Sequence, residues 1–265
     1  MAVKVFLIGR PGSGKSTAAH YISKQVHRQK CSTTHIYDYT ILHSWFMAEM
    51  YNPRNKHKYF HPRGHDGFDV LDFSVLSKAL EEVERKARKY MSFRRRLVLI
   101  EFARDDYSEV LRTFSDDFLQ DAYFLYFDAD IKTCIERVRE RSLHPTTEYD
   151  HFVSTEIITS YYDKDNKPYM FSQFGQEYHV DNKRVEIIDN TGSRQDFLRQ
   201  ISAFTDALFE REIDLSNKID FLREASPKQK KRRGITEPLS SPCSTSILDS
   251  SKILIQGIQE STRFL

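Results

Sequence analysis

Apolar and polar positions along the chain change between two periods. "VKVFLI", Val3 to Ile8, has strand composition, and "STAAHYISKQVHRQ" behind it sets Ala18, Ile22 and Val26 at helical spacing. "TTHIYDYT" predicts a second strand ending at Asp38. The next segment, "HSWFMAEMYNPRNKHKYFHPRGHDGFDVLDF", is aromatic and irregular, too rich in Pro and Gly in its second half for one regular element. "SVLSKALEEVERKARKYMS" predicts an amphipathic helix with Leu76, Leu80, Val83 and Ala87 on one stripe. "RLVLIEFA" is apolar without alternation, as buried parallel strands are, and carries Glu101 and Arg104 at its carboxyl end. "AYFLYFDAD" predicts a fourth strand and "IKTCIERVRERS" a helix after it. A loop from Leu143 and a helical patch around "STEIITSYYDK" come next. "RVEIIDNTG" predicts a fifth strand, and "SRQDFLRQISAFTDALFERE" a closing helix. No internal repeat is visible.

Strands alternating with helices predict an α/β fold: a five-stranded parallel sheet with helices on both faces. Such sheets bind ligands at the carboxyl ends of their strands. Gly9, Asp38, Glu101 and Asn190 all fall at or just past predicted strand ends. The predicted domain covers residues 1–212, and 213–265 reads as a C-terminal extension.

Composition narrows the setting. A chain of 265 residues suits one α/β domain with an appendage. No apolar run reaches membrane-spanning length, and Gly9 and Arg10 cut short the only signal-like start, so the expected setting is cytoplasmic, without membrane contact. Cys31, Cys134 and Cys243 lack paired spacing, which points to a reducing compartment and packed or tolerated thiols. The net charge of +2 gives no global attraction for nucleic acid. Charge is concentrated locally in "KQKKRR", Lys228 to Arg233, inside a stretch of linker composition. That cluster reads as a solvated linker, with nucleic-acid contact or a nuclear import signal as rivals. Beyond it, Ile247, Leu248, Ile253, Leu254, Ile255 and Ile258 form a short apolar segment suited to a protein partner or to this chain's own sheet edge.

The most specific chemistry is "GRPGSGKST", Gly9 to Thr17. Gly9, four residues, Gly14, Lys15 and Ser16 fit the phosphate-binding loop pattern completely, with a strand before and a helix after. Successive backbone N–H groups must turn inward around phosphate oxygens, and bare Gly12 and Gly14 leave that wall open. Pro11 and Ser13 complete the loop. Lys15 reaches the β- and γ-phosphates, the Ser16 hydroxyl ligates Mg²⁺, and Thr17 stands in the first turn of a helix whose dipole favours an anion. ATP and Mg²⁺ are the expected ligands.

With these pieces in order, the chain resembles P-loop nucleoside and nucleotide kinases of the adenylate and thymidylate kinase superfamily. The resemblance rests on "GRPGSGKST", on "YFDADIKTCIERVRERS" as strand, Asp-turn and Arg-rich helix leading into a lid, and on "VEIIDNTGSRQDFLRQI" as last strand and helix. It covers Met1 to about Glu212. It implies a P-loop sheet with a small lid, and Asn190 and Thr191 lining an adenine pocket. "IEFARDDY" stands where adenylate kinases carry Asp-Gly-x-Pro-Arg, and is closer to the Glu/Asp-Arg endings of deoxynucleoside and thymidylate kinases. The implied activity is transfer of the γ-phosphoryl group of ATP to a small nucleoside- or nucleotide-like acceptor, with a polynucleotide kinase and an ATP-dependent interaction switch as alternatives.

Phosphoryl transfer asks for charge neutralisation and alignment. Glu101 is a candidate to orient a metal-bound water or to accept the acceptor's proton. Asp38 is the rival base, with a helix cap as its plainer role. Arg104 is a candidate acceptor clamp or else a surface ion pair with Asp105 or Asp106. Arg137 and Arg141, four residues apart on one helical face, are candidates to close over the transferring group, as lid arginines do in the resembling kinases; the plainer reading is a solvated helix with Glu136–Glu140 pairing. His57, His61 and His65 repeat every four residues, but Pro62 and Gly64 break the helix that would align them on a metal. Trp45, Phe46, Tyr59 and Phe60 are either core or walls for a flat ligand, with core expected for the first two, which stand at helical spacing with Ile41 and Leu42.

Overall fold

The computed structural model of the chain describes residues 1–52, 58–63, 67–144 and 153–213. The chain divides into Met1–Arg223 and Glu224–Leu265, and the second unit lies wholly outside the described residues, as do Lys228–Arg233 and the apolar C-terminal segment. His57 and His65 are likewise outside them, as is the start of the predicted lid after His144.

Seven strands and ten α-helices are described. The strands are β1 (Val3–Gly9), β2 (Ser32–Tyr37), β3 (Phe60–Pro62), β4 (Phe68–Val70), β5 (Arg96–Phe102), β6 (Tyr123–Asp128) and β7 (Val185–Asp189). The helices are α1 (Lys15–Arg28), α2 (Asp38–Tyr51), α3 (Ser74–Arg88), α4 (Tyr107–Val110), α5 (Asp116–Gln120), α6 (Ile131–Leu143), α7 (Thr155–Ser160), α8 (Lys167–Ser172), α9 (Phe174–Glu177) and α10 (Arg194–Leu208). Five strands form one parallel sheet in the order β2-β5-β1-β6-β7. The predicted α/β sheet is therefore present, with β1 at its centre.

The central strands read as continuous apolar runs because both faces are covered. On one face Phe6, Ile8, Val98, Ile100, Phe102, Phe124 and Tyr126 pack under α2, α3 and α8. Phe6 stacks on Phe124, ring centroids 4.7 Å apart. On the other, Val5, Leu7, Leu97, Leu99, Leu125 and Phe127 meet Ala18, Ile22 and Val26 of α1 and Phe197, Ile201 and Phe204 of α10. Successive side chains of each strand thus feed opposite layers. Cys31 and Cys134 are buried free thiols, as expected.

The segment after β2 is more regular than its reading. The aromatic stretch opens as helix α2, and its second half folds back as the antiparallel hairpin β3–β4. Buried Glu49 of α2 accepts the backbone N–H groups of Tyr59 (3.1 Å) and Phe60 (3.3 Å), which fastens the hairpin to the helix. Phe68 of the hairpin stacks on Phe46 and Tyr39, with centroids at 5.0 and 5.5 Å. Phe46 and Phe60 are core, and Trp45 and Tyr59 pack against that core half-buried. On α3 the buried stripe holds Val75, Ala79, Leu80, Val83 and Ala87, while Leu76 turns partly toward a cleft.

Candidate functional site

The carboxyl ends of β1, β2 and β5 share one edge: Tyr37 stands beside Glu101, and Ile8 beside Phe102. Along that edge runs a cleft of about 930 Å³. Its floor begins at the phosphate loop. Gly12 and Gly14 hold φ of +79° and +102°, which L side chains rarely adopt. A Cβ on Gly12 would also come within 2.5 Å of the Cys134 carbonyl, and one on Gly14 would strike the Asn190 amide. The loop is thus bare toward its ligand side and tightly packed on α6 and on the turn after β7. Tyr107 braces it from beneath, its hydroxyl accepting the N–H groups of Gly9 (2.8 Å) and Arg104 (3.3 Å). Arg10 reaches sideways, its guanidinium donating to the carbonyls of Tyr162 (2.8 Å), Asp163 (3.2 Å) and Lys164 (3.0 Å).

Lys15 is buried within the loop and donates to the carbonyls of Gly9 (2.9 Å) and Arg10 (2.8 Å). Burial pushes its ammonium down from 10.5 to about 8, against the attraction of Glu101. Ser16 donates to Glu101 Oε1 at 2.6 Å, and Glu101 Oε2 lies 2.9 Å from His35 Nε2. Ser16, Glu101 and His35 therefore form one chain of hydrogen bonds across the ends of α1, β5 and β2.

Asp38 does not cap α2: it occupies the first turn, and no side-chain capping bond is made at that helix start. Its carboxylate instead accepts Arg104 Nη1 at 2.6 Å in a buried ion pair. Arg104 also donates to the carbonyls of Ala103 (2.6 Å) and Leu76 (3.0 Å). It is neither a surface pair with Asp105 or Asp106 nor an uncommitted clamp. Burial raises the Asp38 carboxyl above its ordinary range, and the guanidinium holds that rise back.

Two of the three arginines of α6, Arg137 and Arg141, line the cleft. Arg137 Nη2 donates to the Asn190 carbonyl at 3.0 Å, while its Nη1 is buried with no partner. Arg141 carries two such atoms, Nε and Nη2. Buried guanidinium N–H groups without acceptors are costly, and an anion in the cleft would satisfy them. Arg139 is exposed. Asn190 lines the cleft and donates to the Ser13 carbonyl at 2.8 Å. Thr191 is exposed, and its hydroxyl bonds Asp189 instead. Pro11, Gly12, Gly14, Lys15, Ser16 and Thr17 line the cleft; Gly9 and the buried hydroxyl of Ser13 lie beneath them.

The aromatic walls come from residues other than those weighed in the sequence. They are Tyr37, Tyr39, Phe68, Phe73, Tyr161, Tyr162 and Phe197. His35, Tyr107 and Arg10 were also missed. Only His35 had a signal, as a polar residue one alternation before Tyr37 on a strand reaching the ligand edge. No group of three or more metal-ligating side chains exists among the described residues. Nor is any described helix long and apolar enough to cross a membrane.

No protein-family model matches the chain, and no curated protein is significantly similar to it. Among solved structures, it is similar to a gluconokinase from Sinorhizobium meliloti 1021 at 16% identity, covering 81% of this chain and 97% of that one, with a TM-score of 0.43. The Mycobacterium tuberculosis APS kinase CysC, solved with AMPPNP and APS, is similar at 15% identity over 78% and 97%, TM-score 0.48. An Acinetobacter baumannii shikimate kinase in complex with shikimate is similar at 11% identity over 80% and 96%, TM-score 0.39. The α/β fold expected from the sequence, a five-stranded parallel sheet with helices on both faces, is the fold present.

Proposed function

We propose that the chain is a P-loop phosphotransferase that moves the γ-phosphoryl group of ATP to a hydroxyl of a small, nucleoside- or nucleotide-like acceptor. The observation that carries this is one cleft with two unlike ends. At one end lie the phosphate loop, Lys15 and the unpartnered N–H groups of Arg137 and Arg141; at the other lies the carboxylate of Asp38. A switch that only binds ATP has no need of the second end.

The donor set fits a magnesium ion. Ser16 Oγ and the Glu101 carboxylate are hard oxygens held side by side at 2.6 Å, and they are the residues that would hold it. Mg²⁺ bound there supplies neutralising charge to the β- and γ-phosphates. Lys15 adds a fixed positive charge on the same oxygens, and its bonds to the Gly9 and Arg10 carbonyls keep it in place. Arg137 and Arg141 stabilise the charge that spreads over the transferring group, and Asn190 positions the adenine side. His35 orients Glu101. The candidate bases divide by position: Glu101 serves the metal side through Ser16, and Asp38 receives the acceptor's proton.

The test is incubation with γ-labelled ATP and a panel of nucleosides, nucleotides, sugar alcohols and short oligonucleotides. Label on a small acceptor, lost in Lys15→Ala, is expected. Label on oligonucleotides only would favour a polynucleotide kinase. ATP binding with no transfer to any acceptor would favour the switch.

A further inference from the structure

The charges of the cleft are distributed unevenly, and the acceptor end has no uncommitted cation among the described residues. Arg104 is the guanidinium at that end. Nη1 is bonded to Asp38 and Ala103, and Nη2 to Leu76, which leaves Nε–H without a partner but closed off from solvent. Its charge is cancelled by Asp38 at 2.6 Å. Asp69, which also lines the cleft, is paired with Arg63 at 2.6 Å. Glu101, toward the loop, adds a further carboxylate. Arg137 and Arg141, which like Arg104 keep buried N–H groups without partners but have no carboxylate paired with them among the described residues, stand on α6, where Arg141 acts electrostatically on Lys15 of the phosphate loop.

A phosphate arriving at the acceptor end would meet carboxylates already paired and one still negative. To reach Arg104 it would have to displace Asp38 and leave a carboxylate buried without its partner, a costly arrangement. The walls favour another kind of ligand. Tyr39 and Phe68 stack on each other at 5.5 Å, 9° from parallel, and both line the cleft. Phe73, half exposed, meets Tyr161 at 5.2 Å across it. Rings supplied by α2, by the β3–β4 hairpin and by the segments beside α3 and α7 make a surface on which a flat ligand can stack.

The geometry points to an acceptor that is uncharged, carries a flat ring and presents a hydroxyl to Asp38, with anionic acceptors excluded by the Asp38–Arg104 pair. This rests on the phosphotransferase reading and narrows it. The hydroxyl oxygen forms its bond to the γ-phosphorus as the bond to the β,γ-bridging oxygen breaks, and that electron pair leaves with ADP. The hydroxyl proton passes to the Asp38 carboxylate, whose side-chain hydrogen bond among the described residues comes from Arg104 alone. The raised carboxyl of Asp38 suits it to take that proton.

The experiment is titration calorimetry of the full chain loaded with Mg²⁺ and a non-hydrolysable ATP analogue. The probes are matched pairs: adenosine and AMP, thymidine and TMP, pyridoxine and pyridoxine phosphate. In at least one pair the neutral member should bind tenfold or more tightly than its phosphate. Asp38→Asn, which frees the charge of Arg104 while keeping its shape, should narrow that preference at least tenfold. Tyr39→Ala should weaken the neutral ring about tenfold. Phosphorylated members that bind as well or better in every pair overturn the inference, as does binding by no probe. An Asp38→Asn protein with its preference unchanged does the same. Binding needs no turnover, so the two readings fail separately: label transferred only to a phosphorylated acceptor sinks this inference and spares the phosphotransferase.

Discussion

At the phosphate-loop end of the cleft, the binding surface is mostly main chain, bared by glycines and backed by two guanidinium groups that keep buried N–H groups without acceptors. At the end between β2 and α3, it is all side chain: a buried ion pair on the floor and aromatic rings on the walls. The first end is built to wait for an anion, since its N–H groups are satisfied only when one arrives. The second has already satisfied its charges internally. On the proposed reading, two ligands of opposite character share one cleft without exchanging places.

The strongest way to break this contrast is to unbalance the neutral end. Arg104→Met leaves Asp38 buried without its partner, and a buried pair broken in this way costs about 3–5 kcal/mol. Urea unfolding near neutral pH should register that loss. Asp38 already binds its proton more tightly folded than unfolded, so its contribution is fully present below the unfolded value of 3.8 and is lost as pH rises through the raised folded value. The deficit of Arg104→Met should therefore grow from acid to neutral pH. A uniform deficit would mean that Asp38 is not the group left stranded.

Removing the charge at the other end acts on catalysis instead. Lys15→Ala should lower turnover by about 10²–10³-fold, the loss typical of one preorganised donor (about 2.7–4 kcal/mol). Its melting temperature should not fall, because burial of that ammonium is itself unfavourable. A melting temperature that drops with the activity would recast Lys15 as structural.

Next in size is the brace beneath the loop. Tyr107→Phe strips the Gly9 N–H and the Arg104 N–H of their shared acceptor. Buried donors left unsatisfied cost about 1–3 kcal/mol each at most. The expected outcome is a lower melting temperature together with weaker ATP binding, since the loop loses its support. Weaker stability with unchanged ATP affinity would remove Tyr107 from the account of the site.

The smallest effect is the pH dependence of ATP binding. In the free protein the Lys15 ammonium stands near 8, and phosphate oxygens favour its charged form. Above pH 8, binding must take up a proton, so affinity should fall by up to tenfold (about 1.4 kcal/mol) per pH unit. Calorimetry in buffers of different ionisation enthalpy should show that uptake. Binding without proton uptake at pH 9 would mean that Lys15 stays charged in the free loop.

The same two ends differ in how far the sequence revealed them. The phosphate loop is contiguous, and its glycines are required by backbone geometry, so "GRPGSGKST" could be read directly. The sheet was legible because parallel buried strands leave apolar runs. Glu101 and Asp38 were found because both end such runs. Their partners were not, because Arg104 meets Asp38 across 66 residues and Ser16 meets Glu101 across 85. The opening of α2 was legible in the helical spacing of Ile41, Leu42, Trp45 and Phe46, but the hairpin was hidden because Glu49, a charged residue in an aromatic stretch, fastens it to the helix. Thr191 was read with Asn190 as a pair, yet the turn sends one side chain into the cleft and the other to Asp189.

The decisive measurement is a crystal structure of the full chain with Mg²⁺, a non-hydrolysable ATP analogue and a neutral acceptor. The triphosphate should be wrapped by the backbone N–H groups of Gly12 to Thr17, with the γ-phosphate in contact with Lys15 and Arg141 and the acceptor hydroxyl on Asp38 with the Arg104 pair intact. Arg104 turned away from Asp38 onto a phosphate oxygen, or the triphosphate bound outside the loop, would contradict that arrangement.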